Sequence, residues 1–196
     1  RLCPIRKIMK NILTLFALSL AFVWSSHAEP LKSLKVGESA PEFKIKDTQG
    51  KEIDLSKLSA KGPVLVRLTC GCLGCDRELP YFQALNEAYK KNGINLVAIF
   101  AEPDEKFAKY VKSKKLNMQY ALDPKKNSWK IFGTKTMPSN FLIDRGGKVV
   151  AISKGCDPSG LIARNLGDKT AQLVKAEKID IKGQVDKNKK TAAPKK

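Results

Sequence analysis

One histidine, His27, is all the sequence contains, and it stands close to the start of the chain. Downstream of it, Ser-His and Cys-His catalysis and every histidine-ligated metal site are excluded. Cysteine is sparse: five in 196 residues are too few for a disulfide-stapled scaffold, and a chain of this length builds a core without one. The few cysteines therefore read as chemistry. Acids are in deficit, 19 against 37 Lys and Arg, a formal net charge of +18. Apolar residues are not in deficit: at 42% they exclude a wholly disordered chain.

The longest apolar run lies at the beginning. Residues 11–28 carry no charge, and 12–24 are almost continuously apolar. Arg6, Lys7 and Lys10 precede the run, and Ser26-His27-Ala28 supplies a small-x-small exit. This is the pattern of a secretory leader, with Met9 as the natural start and residues 1–8, including Cys3, as upstream sequence. The alternative is an uncleaved membrane anchor, since eighteen uncharged residues approach spanning length; Ser19, Ser25, Ser26 and His27 dilute the run and favour cleavage. The expected organisation is residues 1–28 as leader, 29–176 as one domain, and 177–196 as a disordered Lys-rich tail. Cleavage takes away four basic residues and no acid, so 33 basic residues against 19 acids leave +14. Cys70, Cys72, Cys75 and Cys156 remain, in a periplasmic or secreted setting that permits disulfides. Location and the lack of a nucleic-acid-binding motif argue against nucleic acid as a partner. The tail and the +14 charge suit an anionic membrane surface or an acidic partner, or simple solvation.

Between 36 and 59, alternating apolar residues around Thr48-Gln49-Gly50-Lys51 predict two short strands and a turn. Val64-Leu65-Val66 starts a strand buried on both faces. Leu79, Phe82, Leu85 and Tyr89 fall at helical spacing, and Asn92-Gly93 stops that helix. A buried strand at 94–100 follows, then a helix opened by Pro103-Asp104-Glu105, a short strand at 120–122, and one or two helical turns at 128–132. Asp144-Arg145-Gly146-Gly147 joins two strands as a hairpin, and a last helix is predicted from about 158 to 176. Strands and helices alternate, then a hairpin closes the sheet: an α/β sandwich with a mixed sheet.

Cys70-Gly71-Cys72-Leu73-Gly74-Cys75 links a buried strand to a helix. At a helix start, sulfurs three residues apart lie one above the other and can open and close a disulfide. The more N-terminal sulfur meets the orphan N–H groups, which stabilise a thiolate, so Cys72 attacks and Cys75 resolves. A four-thiolate site of Cys70, Cys72, Cys75 and Cys156 is the alternative. A purely structural disulfide closes almost no loop and so stabilises little.

These residues resemble the active-site segment of the thioredoxin fold, closest to the extracytoplasmic thiol-disulfide oxidoreductases of the TlpA and ResA type within the redoxin (AhpC/TSA-like) group. Val64-Leu65-Val66 and Cys72-Leu73-Gly74-Cys75-Asp76-Arg77-Glu78-Leu79-Pro80 carry the likeness. The opening Val36-Gly37-Glu38-Ser39-Ala40-Pro41-Glu42-Phe43 and the segment Thr136-Met137-Pro138-Ser139-Asn140-Phe141-Leu142-Ile143-Asp144 extend it over about 34–173. The resemblance implies a thioredoxin-like sandwich with helices on both faces and an N-terminal extension. It implies Cys72 and Cys75 as the redox pair, Glu78 as an acid near the site, and Pro80 as the proline that kinks the helix. Pro138 matches the cis-proline, and Met137 and Gly71 are the implied substrate contacts. For Glu78, an exposed helical acid is the competing reading.

The chain departs from its relatives at three places. Gly71 stands where they usually carry Trp, Cys70 replaces a non-cysteine, and the stretch from Val66 to Cys72 is one residue short, which predicts a bulged strand end. Arg67 lies where thioredoxins bury an acid; a partly exposed arginine at a strand end is expected, and the alternative is a cation that faces the site and lowers thiol pKa. The hairpin topology brings Gly155-Cys156 back towards the redox pair, close enough for Cys156 to exchange with Cys70 or Cys72 as an auxiliary thiol; an inert loop thiol is the alternative.

The expected function is reduction of protein disulfides or a related exchange with dithiol substrates. No cofactor beyond the redox-active disulfide and no metal is expected. The resemblance implies a membrane electron donor and a role such as cytochrome c maturation. Two rivals stand. A peroxiredoxin-like peroxidase fits the Thr69-x-x-Cys72 spacing but lacks the proline expected at Leu65. A thiolate metal-binding module is the rival of a different class.

Overall fold

The computed structural model describes residues 32–192, with side chains to 189. The leader reading and residues 193–196 fall outside the described residues. The two short strands are β1 (Lys44–Lys46) and β2 (Glu52–Asp54), paired antiparallel. Helix α1 (Leu55–Lys61) follows directly, where the alternation of Ile53 and Leu55 had pointed to more strand. Asp54 ends the strand by capping: its carboxylate accepts from the Lys57 N–H at 3.2 Å.

The main sheet has five strands: β3 (Val64–Thr69), β4 (Asn95–Phe100), β5 (Gln119–Leu122), β6 (Ser139–Ile143) and β7 (Val149–Lys154). Their order is β5-β4-β3-β6-β7, with β3, β4 and β5 parallel and β6 and β7 antiparallel to their neighbours. Helix α2 (Leu73–Tyr89) connects β3 to β4, α3 (Asp104–Lys114) connects β4 to β5, and α4 (Asn127–Ile131) precedes β6. Helices α5 (Leu161–Leu173) and α6 (Ile181–Ala192) follow β7.

The strands alternate between two cores. Val64, Val66 and Leu68 join Val97, Ile99, Phe132 and Phe141 on one face. Leu65 joins Leu79, Phe82, Leu85, Leu96 and Phe100 on the other, beneath α2. Arg67 has the same parity as Leu65 and so enters the side beneath α2. Pairing of β3 with β4 runs without interruption from Val64↔Asn95 to Thr69↔Phe100. The expected bulge is therefore not there.

The expected disordered tail is corrected over most of its length. Helix α6 packs on α2 and α5, with Ile181 and Val185 buried in the core beneath α2. The Tyr89 hydroxyl accepts from the Ile179 N–H at 3.0 Å, the Tyr81 hydroxyl donates to Asp186, and the Lys189 ammonium sits 4.2 Å over the Tyr81 ring. Apolar residues four apart give α6 a buried stripe that its lysines conceal in composition.

Candidate active site

The site lies at the carboxyl end of β3, the customary position for a ligand crevice in an α/β sheet. Chain geometry crowds three sulfurs there. Cys70 follows the last residue of β3, Cys72 is the N-cap of α2 in extended conformation, and Cys75 is in the first turn. Cys70 Sγ lies 2.9 Å from Cys72 Sγ and 3.4 Å from Cys75 Sγ, and all three lie within 4.8 Å of one another. Exposure is graded: Cys72 is exposed, Cys70 half-buried and Cys75 buried.

The environment separates the thiols chemically. Burial pushes Cys72 upward, but the Cys70 thiol and the N–H groups of Cys75 and Gly74 outweigh it and hold Cys72 below the ordinary thiol value. Burial pushes Cys70 strongly upward, and its contact with Cys72 adds to the effect. Cys70 is thus the hydrogen-bond donor of the pair, and Cys72 the sulfur that gives up its proton more readily.

Cys156 returns to the site as the topology implies. The Gly155 N–H donates to the Pro138 carbonyl at 2.9 Å, and Gly155 takes a φ of +90°, a conformation that glycine adopts without penalty. Cys156 Sγ then rests against Gly74, so close that a Cβ on Gly74 would stand 3.0 Å from it. Burial and the Glu78 carboxylate push the Cys156 thiol upward.

Beneath the turn lies a buried ion pair. Arg67 and Glu78 are 2% and 0% exposed, with Arg67 Nη2 2.7 Å from Glu78 Oε2. The guanidinium also donates to Asn140 Oδ1 at 3.0 Å and stacks 4.0 Å over the Phe82 ring. Glu78 Oε1 accepts from the Asp157 N–H at 3.0 Å. The expectation of a partly exposed Arg67 is overturned, and so is the reading of Glu78 as an exposed helical acid. Each charge provides the other's partner in a core that would otherwise exclude both. The pair ties β3, α2, β6 and the Cys156 loop together.

The Met137–Pro138 peptide is cis, and Pro138 is buried. The pairing Leu68↔Ser139 sets Pro138 one step further on, at the level of Thr69. Met137 lines an open cleft with Trp129, Thr134, Lys126, Lys130 and Lys135. Gly71 is otherwise engaged: its N–H donates to Glu102 Oε1 at 2.6 Å, so that amide is not free to hold a substrate backbone. Thr69 is buried, and its hydroxyl contacts the Cys70 carbonyl rather than a thiol.

Glu102, Asn140 and Asp157 are site residues that sequence reasoning passed over. Glu102 was open to discovery, being the first acid beyond the carboxyl end of the neighbouring parallel strand β4. Asn140 and Asp157 carried no local signal, because only strand pairing and the return of β7 bring them in.

No helix among the described residues is long and apolar enough to cross a membrane. The model of the AhpC/TSA family matches residues 36–152. The chain is 34% identical over 125 residues to the thiol-disulfide oxidoreductase ResA of Bacillus thuringiensis, covering 63% of this chain and 72% of that protein. It is similar in structure to a putative thiol:disulfide interchange protein DsbE from Chlorobium tepidum, with TM-score 0.65, 27% identity, and coverage of 72% and 99%. A putative protein disulfide isomerase from Bacteroides thetaiotaomicron matches with TM-score 0.64 and 28% identity, over 72% of this chain and 91% of that one. With the mixed five-stranded sheet and the Cys72-Leu73-Gly74-Cys75 turn at a helix start, these likenesses show that the chain belongs to the AhpC/TSA family, among its ResA-like thiol-disulfide oxidoreductases.

Proposed function

We propose that the protein works outside the cytoplasm as a reductase of protein disulfides. The Cys72 thiolate attacks one sulfur of a substrate disulfide, forming a mixed disulfide and expelling the other sulfur as a thiolate. Cys75, once deprotonated, attacks Cys72 Sγ; the Cys72–Cys75 bond forms and the second substrate thiolate leaves. Substrate takes up two electrons and two protons. The observation that carries this reading is the grading of the two sulfurs, Cys72 exposed and held below the ordinary thiol value, Cys75 buried within 4.8 Å.

Pro138 stands at the level of Thr69, where the cysteine turn begins, and the cleft beside Met137 offers a seat for the chain flanking a substrate cystine. Its three lysines favour acidic flanks. Extracytoplasmic placement rests on the leader pattern and on kinship with the ResA-like branch. Kinship also supports the reducing direction, a membrane electron donor and a place in cytochrome c maturation or the repair of oxidised thiols.

Reduction of insulin by the pre-reduced protein tests the reading. Cys72→Ser abolishes it, and Cys75→Ser accumulates a mixed disulfide visible by mass spectrometry. Peroxide consumption faster than insulin reduction would transfer the assignment to a peroxidase. A redox potential above that of the surrounding compartment couple would reverse the direction.

A further inference from the structure

We propose that the reduced protein binds Cu(I) between Cys70, Cys72 and Cys75. Disulfide exchange uses two sulfurs, yet this turn holds a third inside the same triangle. The three come from different local positions, the end of β3, the N-cap of α2 and its first turn, so the triangle is a product of the fold. Metal–sulfur bonds are about 2.3 Å, which sets three sulfurs around one ion about 4 Å apart. Two of the present separations, 2.9 Å and 3.4 Å, are shorter than that and none exceeds 4.8 Å, so the sulfurs need only spread slightly to take the ion.

The donor set selects the ion. All three ligands are sulfur, and no carboxylate or imidazole belongs to the group. Soft thiolates favour Cu(I), zinc or iron–sulfur clusters. Zinc closes a tetrahedron of four protein ligands in structural sites, and Cys156 is not a member of the group; it sits against Gly74 instead. Three sulfurs satisfy Cu(I). Entry is open through exposed Cys72, and N–H groups of Gly74 and Cys75 point at its sulfur and offset thiolate charge. Binding expels the thiol protons, so it strengthens with rising pH.

Binding requires only that the three thiols be reduced. A second consequence does rest on the exchange reaction: when Cys72 and Cys75 pass two electrons to a substrate disulfide and become bonded to each other, only Cys70 is left on the ion. Cu(I) occupancy and disulfide reduction therefore exclude one another.

The test is titration of anaerobic, reduced full-length protein with Cu(I) in competition with a chromophoric Cu(I) chelator. One ion per chain is expected, three sulfurs around it by X-ray absorption, and none bound by protein carrying the Cys72–Cys75 disulfide. Loss of an outer-shell partner costs about 10–100-fold in metal affinity, so Cys70→Ser, Cys72→Ser and Cys75→Ser each lose at least tenfold, while Cys156→Ser binds as wild type. Wild-type affinity in Cys70→Ser, or two sulfurs around the ion in the unaltered protein, overturns the site. The X-ray count decides alone if circular dichroism shows that Cys70→Ser is misfolded. Protein that reduces insulin but fails to hold Cu(I) sinks the site and spares the exchange reading; the reverse result does the opposite.

Discussion

Cys70 Sγ stands 2.9 Å from Cys72 Sγ and donates its hydrogen to it. The contact arises because the link between β3 and α2 is too short to carry Cys70 away from the helix start. A residue outside the proposed Cys72–Cys75 exchange pair thereby tunes the sulfur proposed to attack.

Cys70→Ala is therefore expected to slow alkylation of Cys72 at neutral pH. Thiolate accumulates as pH rises through the pKa, and Cys72 lies below the ordinary value of 9.0, so its alkylation begins at lower pH than that of a free thiol. Removing the donor moves the profile to higher pH. A hydrogen bond to a charged group at an exposed site is worth about 1 kcal/mol, or about a fivefold drop in rate. Cys70→Ser, which keeps an O–H donor, recovers part of it. Iodoacetamide kinetics across pH check both; an unmoved profile in Cys70→Ala would remove Cys70 from this role.

Gly74→Ala tests the seat of Cys156. The new methyl would meet Cys156 Sγ at 3.0 Å and must displace it. The sulfur is exposed, so the cost is at the low end of overpacking, about 1 kcal/mol. Adding Cys156→Ala should return the stability. Urea unfolding of the two single variants and the double variant measures the coupling, and additive effects would contradict the contact.

Arg67 and Glu78 are both fully buried, so breaking the pair is costly. Glu78→Leu strands the guanidinium and should destabilise by about 3–5 kcal/mol. Arg67→Met with Glu78→Leu removes both charges and should recover most of the loss, though Asn140 then needs a new donor. A double variant no more stable than Glu78→Leu would show that the pair was not the source of the penalty.

Ile181→Ala reports on α6. Ile181 is wholly buried and reaches so near Gly167 that no Cβ fits there; its truncation should cost about 2–5 kcal/mol, whereas a solvated tail would lose nothing. Acid adds a second handle. Contacts with Lys182 and Tyr81 hold the Asp186 carboxyl below its ordinary value of 3.8. Its stabilisation is complete above that value and fades as pH falls through the lowered one. Hydrogen exchange in 181–189 should therefore rise in acid before that of the central strands, and equal response of both would refute the coupling.

The sheet was legible because its strands are apolar runs bounded by turn residues, and the hairpin because Gly146-Gly147 mark its turn. Helix α6 was hidden: charge dominates its composition, and the two residues that bury it, Ile181 and Val185, matter only through what they touch. The place of Cys72 and Cys75 at a strand-to-helix turn was legible because two cysteines three apart after a buried strand are a local pattern. Cys156 was within reach because strand direction alone carries it back to that turn.

Arg67 marks the boundary between the two kinds of knowledge. Composition treats a strand arginine as a surface residue, and only its pairing with Glu78, eleven positions along the chain, makes burial affordable. Spacing thus pointed to Cys72 and Cys75 as the exchanging sulfurs and to Cys72 as the attacking one, since helix-terminal dipoles act within one turn. The third dimension decided what surrounds them: a proton-donating Cys70, a buried ion pair beneath, and Cys156 against Gly74. Those relations depend on distances between segments, and a linear order of residues holds no distances.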